Sequence, residues 1–309
     1  MIIETPITRL LNIDLPMIGA PMFLISNVDL TVAVSEAGGM GTFPAQNYRS
    51  LSELKEAISE ITERTSKPYG VNIVMHKQYN PDWPAQLDTV LAQKVPVIIA
   101  SLGVPRTVIK EIQKTGTKIL YDVIGLRQAR LAAKLGVDAL VAVCHGAGGH
   151  AGNLTPFALI PTLIDHLKEQ QFEVPVIAAG AITDGRQMAA AFSLGASAVY
   201  VGTRFIASKE SPAPEEYKKM ILTSKSEDIV YTDKISGISA NWLKPSLERA
   251  GIDLATANFE KVAAMNQAKR WKEIWSAGQG VAQIDSILPV SEIVSGMVNQ
   301  YKEIKKALP

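Results

Sequence analysis

The chain has 309 residues, 47% of them hydrophobic and 20% charged, which is enough for one large core at a length that α/β barrels commonly reach as a single domain. Its 31 Lys and Arg against 30 Asp and Glu leave no global field for nucleic acid or an anionic membrane, and this balance points to a small-molecule client. The one cysteine, Cys144, excludes an intramolecular disulfide and suits a reducing compartment.

The opening MIIETPITRLLNIDLPMIGAPM has no basic start before an unbroken apolar run, so a signal peptide is not expected. No stretch reaches the roughly 18 apolar residues of a membrane span. A soluble, cytoplasmic protein is expected.

Short apolar, β-branched runs alternate with longer amphipathic stretches as far as Phe205. In chain order the runs are Pro16–Gly19, Gly41–Phe43, Tyr69–Val74, Val95–Ser101, Lys118–Val123, Ala139–Cys144, Val174–Gly180 and Ala198–Phe205. Most lack polar alternation, as expected of parallel strands covered on both faces. Between them, Ser52–Arg64 places Leu54, Ile58 and Ile61 on one stripe of a helix. Pro105–Lys114 opens on a proline and stops before Gly116, and Leu126–Leu135 and Arg186–Leu194 stop at Gly136 and Gly195. Such alternation predicts parallel βαβ units with right-handed crossovers. Eight units predict a TIM-type (β/α)8 barrel, with a doubly wound open sheet as the alternative.

The stretch Ile206–Ile287 breaks the pattern. It carries Trp242, Trp271, Trp275 and the segment WSAGQG at 275–280. It is expected to be a helical insertion or cap after the eighth strand, over the C-terminal face of the barrel. The barrel domain then comprises 1–205 and 288–309, finished by a helix at Ser291–Lys306.

Active sites of such barrels sit on the loops that follow the strands. After the first strand, Gly19-Ala20-Pro21-Met22 lets backbone approach a flat ligand and offers N–H donors to a ring nitrogen; an ordinary turn enforced by Pro21 is the plain alternative. After the seventh and eighth strands, Ala179-Gly180-Ala181 and Gly202-Thr203-Arg204 suit a phosphate cradle, with a Thr203 hydroxyl as an added donor. Plain βα turns are the alternative there. After the sixth strand, CHGAGGHAG at 144–152 leaves His150 little side-chain cover, as a ligand-facing imidazole needs. His145 is expected to pack or orient, and His76 and His166 to be structural or superficial. Cys144 reads as a buried, inert thiol rather than a nucleophile. No HExxH, CxxC or GxGxxG opens a metal or Rossmann reading, and no metal site is expected.

These segments together resemble the FMN-dependent nitronate monooxygenases, formerly called 2-nitropropane dioxygenases, which are similar to the FMN-dependent bacterial enoyl-ACP reductase and to an NADH:quinone reductase branch. The resemblance rests on PMIGAPM, LTVAVSEAGGMGT, PYGVNI, GAGGHAG, VPVIAAGAITDG, VYVGTRF and EIWSAGQG. It implies FMN as cofactor, with Ala20, Pro21 and Met22 facing the flavin, and Asn72 against the ring or the substrate. It further implies that Gly148 and Gly149 line the flavin, that Ala179, Gly180, Ala181, Gly202 and Thr203 hold the phosphate, and that His150 is catalytic.

Two departures stand out. Tyr121-Asp122-Val123 occupies the place where relatives often carry Lys or a Thr-rich segment, so Asp122 is expected beside the cofactor, with a cationic partner for the flavin N1/O2 edge missing or supplied elsewhere. Gly146 stands where relatives frequently have Glu. The activity implied first is oxidation of an alkyl nitronate with O2 to a carbonyl compound and nitrite, His150 binding the nitro oxygens or taking the α-proton. An NAD(P)H-dependent reductase of an enoyl thioester or quinone is the second reading, and a non-enzymatic FMN-binding protein the third. Small-molecule partners are expected, and a homodimer is left open.

Overall fold

The computed structural model describes residues 2–263 and 273–307; Trp271 lies outside them. Eight parallel strands form the barrel: β1 (Met17–Gly19), β2 (Gly41–Pro44), β3 (Tyr69–Val74), β4 (Val97–Ser101), β5 (Lys118–Val123), β6 (Ala139–Val143), β8 (Val176–Ala179) and β9 (Ala198–Val201). A two-residue strand, β7 (Gly149–His150), lies outside this set. The ladder runs β1-β9-β8-β6-β5-β4-β3-β2. It closes where Ile18 bridges Met40, with Gly19 N–H donating to Met40 O at 2.9 Å.

Side chains alternate between two apolar regions, as strands packed on both faces require. Ile18, Met40, Val97, Ile99, Leu120, Val141, Ile177 and Ala198 fill the lumen together with Ile7, Leu11 and Ile13 from the N-terminal helix Pro6–Leu11 and the turn after it. The opposite faces, such as Val71, Ile98, Ile119, Tyr121 and Leu140, pack beneath the surrounding helices. The helix Leu51–Arg64 shows why these segments are helical. Ser50 and Glu53 form a capping box, and Leu54, Ala57, Ile58 and Ile61 make the buried stripe.

Two strand ends differ from the expectation. The seventh barrel strand, β8, stops at Ala179, before the left-handed Gly180. The eighth, β9, stops at Val201, and Thr203–Ile206 forms a helical turn that buries Phe205 and Ile206. The inserted stretch carries strands as well as helices. β10 (Ile229–Thr232) and β11 (Ala240–Leu243) pair antiparallel, and β11 pairs with β7, Ala240 opposite His150 and Asn241 opposite Gly149. The β-branched and aromatic residues of IVYT and the buried ANWL account for the strands. The last helix, Val290–Ala307, docks on the helix Gly185–Ser193, where Gln300 Oε1 accepts from Gly185 N–H at 2.7 Å. Among the described residues no helix is long and apolar enough to cross a membrane.

Candidate active site

One register above Leu120 the lumen changes character. Asn72 on β3, Ser101 on β4, Asp122 on β5 and Tyr200 on β9 occupy inward positions toward the C-terminal ends of their strands, with Thr42 on β2. Asn72 Nδ2 donates to Ile99 O at 3.1 Å and to Ser101 Oγ at 2.7 Å, and Ser101 Oγ donates to Asp122 Oδ2 at 2.5 Å. Asp122 is half-buried as a residue, but its Oδ1 is sealed from solvent without a partner. Burial raises this carboxyl to about 6, against the opposing hydrogen bond from Ser101. The buried Tyr200 hydroxyl makes no close hydrogen bond; its neighbour is Thr42, whose own hydrogen goes to Gly19 O. Burial first, then the charge of Asp122, push the Tyr200 phenol well above its ordinary value.

The loop after β1 lies over one edge of this floor, and here the structure corrects an expectation. The backbone donors foreseen for a ring nitrogen are already used. Ala20 N–H donates to Val201 O at 2.8 Å, Met22 N–H to Ser26 Oγ at 2.9 Å, and Pro21 has none. What this loop presents is side-chain surface: Ala20, Pro21 and Met22 are all half-buried. A Cβ on Gly202 would lie 3.4 Å from Ala20 Cβ and 3.5 Å from Met22 Sδ, so the loops after β1 and β9 meet.

On the β8–β9 side, Gly180 has φ +126°, open only to glycine, and Ala181 follows at +55°. Ala181 N–H is held by Gly146 O at 3.0 Å, so it too is unavailable as a phosphate donor. Thr203 Oγ1 accepts from Gly278 N–H at 2.8 Å, which leaves the hydroxyl hydrogen to donate. The segment Ser276–Gly280 is thus part of this wall. Gly278 and Gly148 approach so closely that a Cβ on Gly148 would stand 2.9 Å from Gly278 N. Trp275 fixes the segment, stacked on Tyr217 at 4.6 Å with Arg249 over its ring at 3.8 Å.

The glycine-rich loop continues this wall, Gly146 O also accepting from Gln279 N–H at 3.0 Å. Buried Asn241 on β11 donates to His145 O at 2.6 Å and to Ala147 O at 2.7 Å, and Tyr231 donates to Ala151 O at 3.0 Å. His145 has Nδ1 3.1 Å from Gln279 Nε2 and packs against the Tyr231 ring. It is tied into the wall. His150 is exposed, and its Nε2 lies 3.4 Å from Ser236 Oγ. The protein mass around it still pushes the imidazole below the ordinary histidine range. Cys144 is fully buried, its thiol pushed up to about 12 by burial.

The predicted site residues therefore sit on the loops or on inward strand positions toward one end of the barrel. Ser101, Tyr200, Tyr231, Asn241 and Gln279 are additions. Ser101 closes the fourth apolar run and was legible in principle as a polar residue at a strand end. The others depend on contacts from the inserted stretch or on register across the lumen. Among the described residues no cluster of His, Cys, Asp and Glu suits a metal ion.

The family model for nitronate monooxygenase matches residues 4–300. This chain belongs to the nitronate monooxygenase family. It is 30% identical to a nitronate monooxygenase of Paraburkholderia phytofirmans, over 95% of this chain and 94% of the relative. The structure is similar to FabK from Thermotoga maritima, with a TM-score of 0.85, 32% identity and coverage of 99% and 98% of the two chains. It is also similar to the nitroalkane oxidase of Streptomyces ansochromogenes, with a TM-score of 0.84, 26% identity and coverage of 98% and 100%. Family membership makes the chain an oxidoreductase enzyme.

Proposed function

We propose that the chain is an FMN-dependent nitronate monooxygenase that oxidises alkyl nitronates with O2 to a carbonyl compound and nitrite. What supports this reading is an exposed imidazole, His150, on the glycine-rich loop at the end of the barrel that carries the polar floor, in a chain that matches the nitronate monooxygenase model over residues 4–300.

The residues present fit a flavin. The floor is polar, with Ser101 and Asp122 hydrogen-bonded across it, and an isoalloxazine edge offers both donors and acceptors. Asn72 lies in the same layer, and Met22 and Ala20 supply apolar contact at the rim. Gly180, Gly202 and Thr203 would hold the phosphate, with the Thr203 hydroxyl as donor. Bound FMN supplies the electron transfer between nitronate and O2.

The chain's own residues handle orientation and the proton. Ser236 spends its single hydrogen on Ile238 O at 2.9 Å. The contact at 3.4 Å is therefore made by His150 Nε2–H donating to Ser236 Oγ, which leaves Nδ1 as the acceptor. Burial lowers its pKa and so favours the neutral ring, the form that can take the α-proton of a neutral nitroalkane. Exposed Leu102, Ile124, Leu154 and Phe157, from the segments after β4, β5 and β6, offer apolar surface to an alkyl group.

Similarity to FabK at 32% identity favours a second reading, an NAD(P)H-dependent reductase of an enoyl thioester or quinone. Anaerobic reduction of the purified yellow protein separates the two. Rapid bleaching by propyl-2-nitronate but not by NADH or NADPH is expected, and the reverse result selects the reductase. Bleaching by neither would sink both. Heat-released cofactor should co-elute with FMN; FAD would refute the cofactor assignment.

A further inference from the structure

The near-neutral total charge conceals an uneven distribution at the mouth of the barrel. The segments that follow β4, β5 and β6, residues 102–110, 124–131 and 144–164, contain no Asp or Glu. They carry Arg106, Lys110, Arg127 and Arg130, all exposed. Among the described residues none of these four is in an ion pair. Carboxylates collect elsewhere, as on the helix Leu51–Arg64 after β2, where Glu53, Glu56, Glu60 and Glu63 face Lys55 and Arg64. Because β4, β5 and β6 are neighbours in the ladder, the cations form one side of the mouth.

The same side carries apolar tips. Leu102, Ile124, Leu126 and Leu154 are 39–44% exposed and Phe157 is 73% exposed. Single exposed apolar residues are ordinary, but five on three neighbouring loops are a patch. It adjoins the glycine-rich loop: a Cβ on Gly152 would lie 2.9 Å from Ile124 Cβ, and His145 N–H donates to Leu154 O at 2.8 Å. Leu102 stands at φ +59°, a strained conformation for a residue with a Cβ, and its exposed side chain recovers little of that cost by burial. The cations stand just behind these tips. Arg130 lies four residues after Leu126 on the helix Leu126–Leu135, hence on its face one turn further from the mouth. Lys110 is likewise one turn into the helix Arg106–Lys114. Apolar tips outermost with cations behind them is the order that an anionic lipid surface meets, acyl region first and phosphates next. A fluid phase also buries a side chain as free-standing as Phe157 without the matching pocket that a rigid partner would have to supply.

We propose that the mouth of the barrel docks on an anionic lipid surface through the loops after β4, β5 and β6, with Ile124, Leu126 and Phe157 entering the lipid and Arg106, Lys110, Arg127 and Arg130 at its phosphates. Among the described residues no helix is long and apolar enough to cross a membrane, so the attachment is peripheral and reversible. The proposal stands apart from the flavin and nitronate readings. Where those hold as well, the alkyl group of a substrate dissolved in the lipid reaches the loop of His150 along Ile124 and Leu154.

The purified protein is sedimented with vesicles of phosphatidylcholine alone or of an equimolar mixture with phosphatidylglycerol. A cation near an anionic leaflet favours binding about five-fold, so partitioning onto the mixed vesicles should be at least about 20-fold stronger. It should be lost in about 0.5 M salt, where screening shortens the reach of the charges to roughly 4 Å. Arg127→Glu combined with Arg130→Glu should weaken partitioning onto the mixed vesicles at least about 20-fold, and Phe157→Ser at least about five-fold. Cys144 is fully buried, so a cysteine placed at the surface takes an environment-sensitive dye selectively. Dye on Phe157→Cys should shift to the blue on mixed vesicles, and dye on Lys114→Cys, at the far end of its helix, should not. Wild type that stays off mixed vesicles at low salt, or binds both kinds equally, overturns the proposal. So does unchanged partitioning in the folded variants, which would put the contact on another face. Should a variant fail to fold, the composition and salt arms on wild type decide alone. A dimer that Phe157→Ser splits, with vesicles left bare, would assign this face to a second copy of the chain and refute lipid docking.

Discussion

Asn72, Ser101 and Asp122 are joined by hydrogen bonds between residues 21 to 29 positions apart, set by the ladder of three successive strands. The walls of the same site are held by bonds spanning 75 to 134 positions: Thr203 to Gly278, Asn241 to His145 and Ala147, and His145 to Gln279. The floor is a product of register, since parallel pairing that buries Leu120 and Ile99 leaves Asp122 and Ser101 no other place. The walls are a product of docking, in which the inserted strands and the Ser276–Gly280 segment pull glycine-rich loops into position. A fault in the floor should therefore alter affinity and titration. A fault in the glycine-rich wall should alter turnover while the barrel stands, and a fault in the phosphate wall should loosen the cofactor.

The largest effect is expected at His150, on the docked wall. His150→Ala should keep FMN and the folded state and lose at least about 100-fold in kcat/KM, since a positioned acid–base group contributes roughly 10²–10⁴-fold. His145→Ala should be milder, because its ring contacts are Gln279 and Tyr231 in the wall. With neutral nitroalkane the rate should rise with pH through a histidine pKa lying below the ordinary value, since the base must be unprotonated. With preformed nitronate that limb should flatten. Turnover near wild type in His150→Ala on every substrate would show the loop to be packing alone.

Next in size is a charge at the phosphate wall. Gly202→Asp should give folded protein with FMN affinity reduced at least 100-fold, since like charges about 4 Å apart at a protein surface cost on the order of 4 kcal/mol. Gly202 is the better position to test, because its added Cβ meets only ordinary contacts and its φ is −114°. At Gly180 a side chain would also have to adopt φ +126°, so loss of fold would confuse the reading. Normal flavin occupancy in Gly202→Asp would put the phosphate elsewhere.

The difference between floor and walls also explains what could be read from sequence. The eight apolar runs and their stop signals were legible because parallel strands and amphipathic helices leave local periodic patterns. Asn72 and Asp122 came into view only through the resemblance to the family, Asn72 within GVNI and Asp122 where relatives often carry Lys or a Thr-rich segment. The bonds made by Asn241 were not legible, since ANWL reads as an apolar strand and its partners lie about 95 positions back. The free N–H groups expected of Ala20 and Met22 failed for a related reason. Ser26 folds back on the loop to take one, and Val201 O accepts the other. Neither pairing has a sequence signature.

A floor short of donors should also carry a stability cost that depends on pH. Asp122 titrates near 6 in the folded chain against 3.8 as the reference value. The folded state therefore binds more protons between those values, and stability falls as pH rises through that window. Two pKa units amount to about 3 kcal/mol. Asp122→Asn apoprotein should gain stability of that order over wild type at pH 8 and little at pH 3.5, read from urea midpoints with unchanged m. An equal difference at both pH values would mean that the carboxyl is solvated well enough to ionise freely.

The smallest effect is expected where the inserted strands grip the glycine-rich loop. Asn241→Ala removes two hydrogen bonds from the carbonyls of half-buried His145 and Ala147. Each unsatisfied carbonyl costs about 1–3 kcal/mol unless the loop relaxes to meet water. Relaxation is available here, because Gly148 and His150 are already exposed on the same loop. The loss should therefore appear as displacement of His150 more than as unfolding, with about a tenfold fall in kcat and a melting temperature lowered by only a few degrees. Asn241→Asp is the sharper version. It sets a carboxylate where a donor stood, facing two carbonyl oxygens, and should exceed the alanine variant in both readouts while binding FMN as tightly as wild type. If either substitution loosens FMN as much as Gly202→Asp does, the glycine-rich loop and the phosphate wall form one unit, and the division between docked walls and laddered floor has to be redrawn.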